Sequence, residues 1–560
     1  MRLLPLSALV STALVSTSLV LAAQAHAAPG TVIDNANGYT LVAGDRLVRF
    51  ASLAFDANGR IVAVGTAREV AAKAPGFTHV DVGGKTVLPG LVDAHGHVFG
   101  LGEIATGVEL YSATSLDGAV KAVAGFAGAN PQRGWVVGNG WNQETWKLGR
   151  FPTAKELDAA VADRPALMRR VDGHAAWVNS RALALAGITK ETRDPAGGKI
   201  ERDAQGNATG ILVDAAMDLV NRVLPRPTEA ESRAALDGAL AMLKGMGLTS
   251  VHDAGIGVGA DRLYRAYADA GKLTTRVYAM IGDTAADFDQ LAVKGPLKSY
   301  ANDLYALSSV KLFADGALGS RGAALIQPYS DAPHTHGLLF YDDAAMRARM
   351  AKAMKAGYQV NVHAIGDAGN RQILDGYAAL LKQYPAAGLR HRIEHAQVVA
   401  PADIPRFAQL DIIPSMQPTH ATSDHNMAEQ RVGKARIAGA YAWRTFLKQG
   451  SRIACGSDFP IESPNPFQGM HAAVTRQDMQ GRPAQGWYRE QAMTVKEALR
   501  CFTLDAAYAA RQEDVLGSLE PGKWADFIVT DRDLFAVPPA EIGRIGVLET
   551  WVGGRQVFKR

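Results

Sequence analysis

Five side chains, far apart in the chain, are of types that bind a metal ion, and each closes an apolar run. His95 and His97 end Pro89-Gly-Leu-Val-Asp-Ala-His95-Gly-His97, and His363 ends Tyr358-Gln-Val-Asn-Val-His363. His395 ends His391-Arg-Ile-Glu-His395, and Asp458 ends Ile453-Ala-Cys-Gly-Ser-Asp458. Residues i and i+2 of a strand share a face, so His95 and His97 can converge. Two imidazoles that close suit a first-row divalent ion. A lone His-x-His pair is a weak signal, and any one of these histidines reads equally as a hydrogen-bonded polar residue at a core edge. Four histidines and one aspartate at equivalent strand ends are much harder to produce by accident. A sixth residue, Lys311 in Ser308-Ser-Val-Lys311-Leu-Phe-Ala-Asp315, sits within a strand-like run. A lysine pointing into a core is costly unless it is paired or modified. Two readings stay open: a lysine carbamylated by carbon dioxide, which would give a carboxylate able to bridge two metals, or a lysine paired with Asp315.

The chemistry such a set supports is hydrolysis. A divalent ion brings the pKa of a bound water towards ~7 and polarises a carbonyl that it contacts. Asp458 is the carboxylate placed to take the water's proton and deliver it to a leaving amine. His174 and Asp172 either orient the substrate carbonyl or form a buried hydrogen-bonded pair. His252, Asp315 and Asp367 lie at or just beyond strand ends and are candidates to orient the ligands through hydrogen bonds. Zinc is the default ion for a His-rich hydrolytic site, one or two per chain, with manganese or iron as alternatives.

The elements that must position these groups alternate. Strand-like runs occur at Val87–Ala94, Leu248–Asp253, Thr275–Ile281, Ser309–Phe313, Tyr358–His363, Arg392–His395, Ile412–Gln417 and Arg452–Gly456. Helical patterns such as Ala344–Lys355 and Arg371–Gln383 lie between several of them. Eight strands separated by helices is the count of an α/β fold of the (β/α)8 TIM-barrel kind, whose catalytic face is built from strand C-termini. The spacing from His97 to His252 is several times that from His363 to His395, which places an insertion at about 100–227. It carries Trp135, Trp141, Trp146 and Trp177, and insertions at that end of a barrel usually shape the pocket. Those tryptophans suggest a substrate with an apolar or aromatic group, although tryptophan is more often core. Short strands set off by glycine turns at both chain ends predict one small β-sandwich, residues 28–88 and 515–560, flanking a barrel at 89–514.

Composition limits the rest. The 560 residues are 48% hydrophobic and 20% charged with a net charge of +4, ordinary for a globular chain and too weak a field for nucleic acid. Met1-Arg2, the apolar stretch from Leu3 to Ala23 and the small-x-small run Ala25-His26-Ala27 predict a secretory signal, residues 1–27, removed to leave an exported, periplasmic or secreted protein. The competing reading is a retained anchor. The expected partners are a small-molecule substrate and, as an open alternative to a monomer, a second copy of the chain; neither nucleic acid nor a membrane is expected once the signal is gone. Two cysteines exclude a disulfide framework, and Cys455 in a barrel strand and Cys501 in a helix are expected to stay free, though an oxidising compartment leaves a bridge open.

The blocks Pro89–His97, Lys311, His363, His395 and Asp458, with Leu519-Glu-Pro-Gly-Lys-Trp-Ala-Asp526-Phe-Ile-Val, resemble the amidohydrolase superfamily along essentially the whole mature chain. Gly140-Trp-Asn-Gln-Glu-Thr-Trp146, Asp172-Gly-His174-Ala-Ala-Trp177, Asn361–Asn370 and His391–Val398 resemble its branch containing N-substituted formamide deformylases. The resemblance implies cleavage of a non-peptide carbon–nitrogen bond of amide or formamide type. It also implies one metal on His95, His97 and Asp458, a second on His363 and His395, and Lys311 as a carbamylated bridge. Asn142 stands where many relatives carry Asp, which puts a role for that position in doubt.

Three rivals are weaker. Gly255-Ile-Gly257-Val-Gly-Ala260 with Asp283 matches a dinucleotide fingerprint, but it sits mid-chain among barrel repeats behind His252 and Asp253. Ser308-Ser-Val-Lys311 spells a Ser–Lys hydrolase motif that needs a helix, whereas its neighbours favour a strand. An exported non-catalytic binding protein would not need metal ligands on several strand ends.

Overall fold

The structure is a computed structural model describing residues 30–42, 45–143, 145–171, 173, 175–195, 198–385 and 388–560. The expected export segment, Asp172 and His174 lie outside the described residues. Eight parallel strands form the central sheet in sequence order: β1 (Leu91–Gly96), β2 (Leu248–Ile256), β3 (Arg276–Gly282), β4 (Tyr305–Phe313), β5 (Gln359–Ala364), β6 (Arg392–His395), β7 (Ile413–Met416) and β8 (Ala454–Cys455). They are buried on both faces and accordingly read as near-continuous apolar runs, as in Val277-Tyr-Ala-Met-Ile281. Helices fill the crossovers. Thr228 and Glu231 form a capping box that starts Glu229–Gly245, and Asp342 caps Asp343–Lys355, so each helix begins where its orphan N–H groups find an acceptor. This is the (β/α)8 barrel, and the dinucleotide-like Gly255–Ala260 is its ordinary turn from β2 into the helix Val258–Asp269.

The first barrel strand starts later than its apolar run. Residues Thr86–Pro89 belong to a different sheet, pairing antiparallel with Phe527–Thr530, and β1 begins only at Leu91. The chain changes sheets at Gly90, whose N–H donates to the Asp526 carbonyl at 2.9 Å. A Cβ at Gly90 would meet Thr249 Oγ1 at 2.1 Å, so only glycine lets the two layers approach.

Both chain ends build the sandwich. One sheet holds Thr31–Asp34, Ser52–Phe55, Ile61–Gly65 and Thr78–Asp81. The other holds Asn37–Val42, Arg46–Phe50 and Thr86–Pro89 from the first end, and Phe527–Thr530, Val547–Val552 and Arg555–Lys559 from the last. Leu53, Phe55, Phe527 and Trp551 pack between them, with Phe527 and Trp551 stacked at 5.2 Å. A buried ion pair ties the sandwich to the barrel: Arg276 at the start of β3 donates to both Asp526 oxygens at 2.7 and 3.0 Å and to the Asn302 carbonyl at 2.7 Å.

After β1 a six-stranded mixed sheet runs from Val108 to Asp214. Its tryptophans do not face a ligand. Trp141, Trp146 and Trp177 lie within 6.4 Å of one another, ring to ring, inside that sheet's own core, and Trp135 packs against a second apolar cluster. Of the two readings these tryptophans allowed, core is the one observed: a sheet this size needs a core of its own, and the largest side chains fill it. The cysteine expectation is corrected. Cys455 and Cys501 form a disulfide, their Cα atoms 5.1 Å apart, because the last residue of the helix Val495–Cys501 comes against β8. No helix among the described residues is long and apolar enough to cross a membrane.

Two stability outcomes follow. Asp526→Ala leaves the Arg276 guanidinium buried without its partner and is expected to cost about 3–5 kcal/mol, read as a lower thermal midpoint. Cys501→Ser opens the 46-residue separation closed by the disulfide and is expected to cost about 2–4 kcal/mol. Midpoints equal to the parent chain's would show that neither link bears on stability.

Candidate metal centre

The site forms where the barrel closes. Strand β8 is only two residues long, so its junction with β1 is completed by the turn after it. The Asp458 N–H donates to the His95 carbonyl and the His97 N–H to the Phe459 carbonyl, both at 2.7 Å. Asp93 accepts from the Ser457 N–H at 3.1 Å, the Ser457 hydroxyl at 2.6 Å and the His95 N–H at 3.0 Å. A Cβ on Gly456 would meet the His95 nitrogen at 2.5 Å, which explains the glycine before Ser457 and Asp458. Asp458 itself has φ 61, a left-handed conformation that a side chain rarely adopts and that the surrounding bonds hold.

That strained turn aims the Asp458 carboxylate at three imidazoles. Its Oδ1 lies 3.1 Å from His97 Nε2 and 3.5 Å from His95 Nε2, and its Oδ2 lies 3.7 Å from His420 Nε2. The His395 ring centroid is 4.8 Å from that of His95 and 4.5 Å from that of His363. Hydrogen bonds on the far side fix two tautomers. His95 Nδ1–H donates to Glu394 at 2.5 Å and His395 Nδ1–H donates to Gln417 at 2.7 Å, leaving each Nε2 a lone pair turned to the centre. The Nε2 atoms of His363 and His420 are buried with no hydrogen-bond partner. Buried imidazoles gathered around a carboxylate, two of them with an unpartnered Nε2, fit a divalent first-row ion.

The electrostatics agree. Burial, reinforced by Lys311 and the neighbouring rings, holds His95 far below the usual imidazole range, and burial with His363 does the same to His395. Burial and Lys311 push His363 down to about 3. All three are therefore neutral near pH 7, the state in which imidazole binds a metal. Burial alone would raise Asp458, but the His97 hydrogen bond, with the imidazoles around it, outweighs it and keeps the carboxylate ionised.

Lys311 is fully buried, its Nζ 3.0 Å from His95 Nε2, and burial lowers its pKa against the pull of Glu394 and Asp458. It does not pair with Asp315, whose carboxylate accepts from the backbone N–H groups of Ala324, Ile365 and Gly366 at 2.8–2.9 Å. Asp315 instead holds the loop beside His363, its Oδ1 3.6 Å from that ring's Nε2. Ser308 bonds Arg511, away from the site, so the Ser–Lys reading has no geometry. His252 lies below the site, bonded to the buried Arg392 at 3.0 Å, and Asp367 caps the Ile326 N–H at 2.8 Å; neither orients a ligand directly.

Two residues of the centre had no place in the sequence reading. Glu394 sits next to His395, and strict alternation would send one of them outward. His395 and Ala396 have φ 73 and 42, which breaks the alternation and lets both side chains reach the interior. His420 lies in the helix Pro418–Asp424 directly after β7, and the signal that could have found it is a histidine just past a strand end that closes at a proline.

The amidohydrolase family model matches residues 78–558. YtcJ of Bacillus subtilis (strain 168) is 33% identical over 493 residues, covering 87% of this chain and 91% of its own. The N-substituted formamide deformylase of Arthrobacter pascens is 30% identical over 518 residues, covering 90% and 94%. Among solved structures, an uncharacterized metal-dependent hydrolase from Pyrococcus horikoshii OT3 superposes with a TM-score of 0.77 at 28% identity, over 91% of this chain and 99% of that one. With a family match that spans the whole barrel and the last chain end's share of the sandwich, this chain belongs to the amidohydrolase family.

Proposed function

We propose that the chain is a metal-dependent hydrolase that cleaves a carbon–nitrogen bond other than a peptide bond, of amide or N-substituted formamide type, in a small molecule. The observation that carries the reading is the Asp458 carboxylate set between His95 and His97 at the strand C-termini. Family membership supports the hydrolase and its divalent metal, and the bond type rests on similarity to the Arthrobacter pascens deformylase. A purely binding protein is not favoured, since nothing in ligand capture requires this neutral imidazole set.

His95, His97 and Asp458 would hold the ion, with zinc the expected metal. A bound divalent ion supplies an electrophile for the carbonyl and brings water's pKa towards ~7. Asp458 accepts a proton from the attacking water as the carbon–oxygen bond forms, and returns it to the nitrogen as the carbon–nitrogen bond breaks. Glu394 keeps the His95 lone pair turned inward throughout. Lys311 is carbamylated in this reading: a neutral buried amine adds carbon dioxide and releases a proton. Its register partner Asn361 is fully buried with neither amide atom partnered, room for new polar atoms at that level. His174 and Asp172 orient the carbonyl. Export is part of the proposal too, and the Cys455–Cys501 bridge fits an oxidising compartment.

Chelation should abolish hydrolysis of N-formyl amines, and added zinc should restore it. Asp458→Asn is expected to keep the fold and much of the metal while turnover falls ~10²–10⁴-fold; near-normal turnover by the metal-loaded variant would show that another group moves the proton. Glu394→Ala is expected to weaken metal binding ~10–100-fold, with activity recovering in excess metal. Lys311→Ala should lose metal and be partly rescued by a short carboxylic acid, and unchanged metal content would remove the carbamate from the mechanism.

A further inference from the structure

The large apolar side chains left open to solvent are not scattered over the molecule. Among the described residues eight are exposed, and four of them follow two barrel strands on the side of the mouth. Phe313 ends β4, Leu338 and Phe340 belong to the segment between β4 and the helix Asp343–Lys355, and Ile461 comes three residues after Asp458. The Phe340 N–H donates to the Ala314 carbonyl at 2.8 Å, so that segment returns against the end of β4. The Ile461 N–H donates to the Asp458 carbonyl at 2.9 Å. A single exposed apolar residue needs no explanation, but a concentration of them beside a polar site marks a ligand surface.

Phe313 is the member of this group that reaches the centre. Strand alternation puts it on the same face as Lys311, two residues before it. Every other residue of β4 is buried, whereas Phe313 is 40% exposed. Its register partner on β5 is His363, and the two rings lie 5.3 Å apart, centroid to centroid, at 37°. Lys311 Nζ is 4.7 Å from the centre of the phenyl ring. One part of the ring therefore rests on the site's own side chains while the remainder stays open. Burying a phenyl ring stabilises a fold, and one left half in water contributes its apolar area only when a ligand covers it. It offers that ligand area rather than a hydrogen bond, so what it selects is an apolar group.

We propose that Phe313 is a specificity-determining contact for the group carried on the substrate nitrogen, and that this group is an uncharged alkyl or aryl chain. The inference rests on the hydrolase reading above and deepens it. In an N-substituted formamide the acyl carbon bears only hydrogen, so the substituent on nitrogen is the part left to meet the ring. Covering the open part of a phenyl side chain removes ~80 Å² of apolar surface from water, a preference of roughly 10–30-fold. The test compares kcat/KM of the zinc-loaded full chain on N-hexylformamide and N-methylformamide. The parent is expected to prefer the hexyl compound. Phe313→Ala should lose roughly 10–30-fold on it, mainly through KM, and leave the methyl compound unchanged. Phe313→Gln keeps bulk beside His363 but not the apolar face, so it is expected to behave alike and decides if Phe313→Ala does not fold. Val293→Ala, which removes another exposed apolar side chain in the crossover from β3 to β4, should change neither rate. Equal losses on both compounds, or none on either, would overturn the role of Phe313. A parent that hydrolyses neither formamide would overturn the bond type proposed above. Both compounds then stay intact, and calorimetric titration decides Phe313 separately: a hexyl preference lost in Phe313→Ala upholds its role, and equal affinity of the parent for both refutes it.

Discussion

The junction between β8 and β1 is the constraint on which the rest depends. A two-residue strand offers too few ladder bonds to close a barrel, so closure falls to the turn Gly456-Ser-Asp458 and to the buried Asp93 carboxylate. Burial, only partly offset by the bonds from Ser457 and His95, pushes Asp93 up to about 7, so this carboxyl is held by hydrogen bonds rather than by solvent. The same turn throws Asp458 into a left-handed conformation and faces it to His95 and His97. Closure and assembly of the site are one set of bonds, and a change that loosens one loosens the other.

Below that junction the barrel interior is polar in layers. Arg392 reaches His252 and the Ala509 carbonyl near the floor, and Gln359 bonds Tyr278 and three backbone carbonyls at the same depth. Glu394 stands above them against His95, then come Lys311 and the imidazoles. An interior this polar is stable only where each group has a partner. Unpartnered atoms remain at both levels, on His252, Arg392 and Glu394 as well as on Asn361, His363 and His420, and at the mouth an ion or substrate would supply the missing contacts.

The remaining layers keep that interior in register from outside. Arg276 and Asp526 lock the sandwich to the start of β3, and the disulfide fastens a helix to β8 itself. The mixed sheet after β1 carries its own tryptophan core.

The sequence by itself determined the architecture and most of the centre. Strand periodicity is a local property, fixed by which faces must be apolar, so eight runs and two terminal β regions were legible, as were His95, His97, His363, His395 and Asp458 at the strand ends. Tertiary structure decided what depends on pairing between distant segments. The Cys455–Cys501 bridge needs the end of a helix brought against β8, and the break at Gly90 needs Thr249 and Asp526 beside it. The company Lys311 keeps follows from barrel closure, which brings His95 to it while Asp315 turns to backbone donors. Glu394 and His420 joined the centre through left-handed backbone at His395 and a helix begun at Pro418, departures from regular alternation that no period in the sequence encodes.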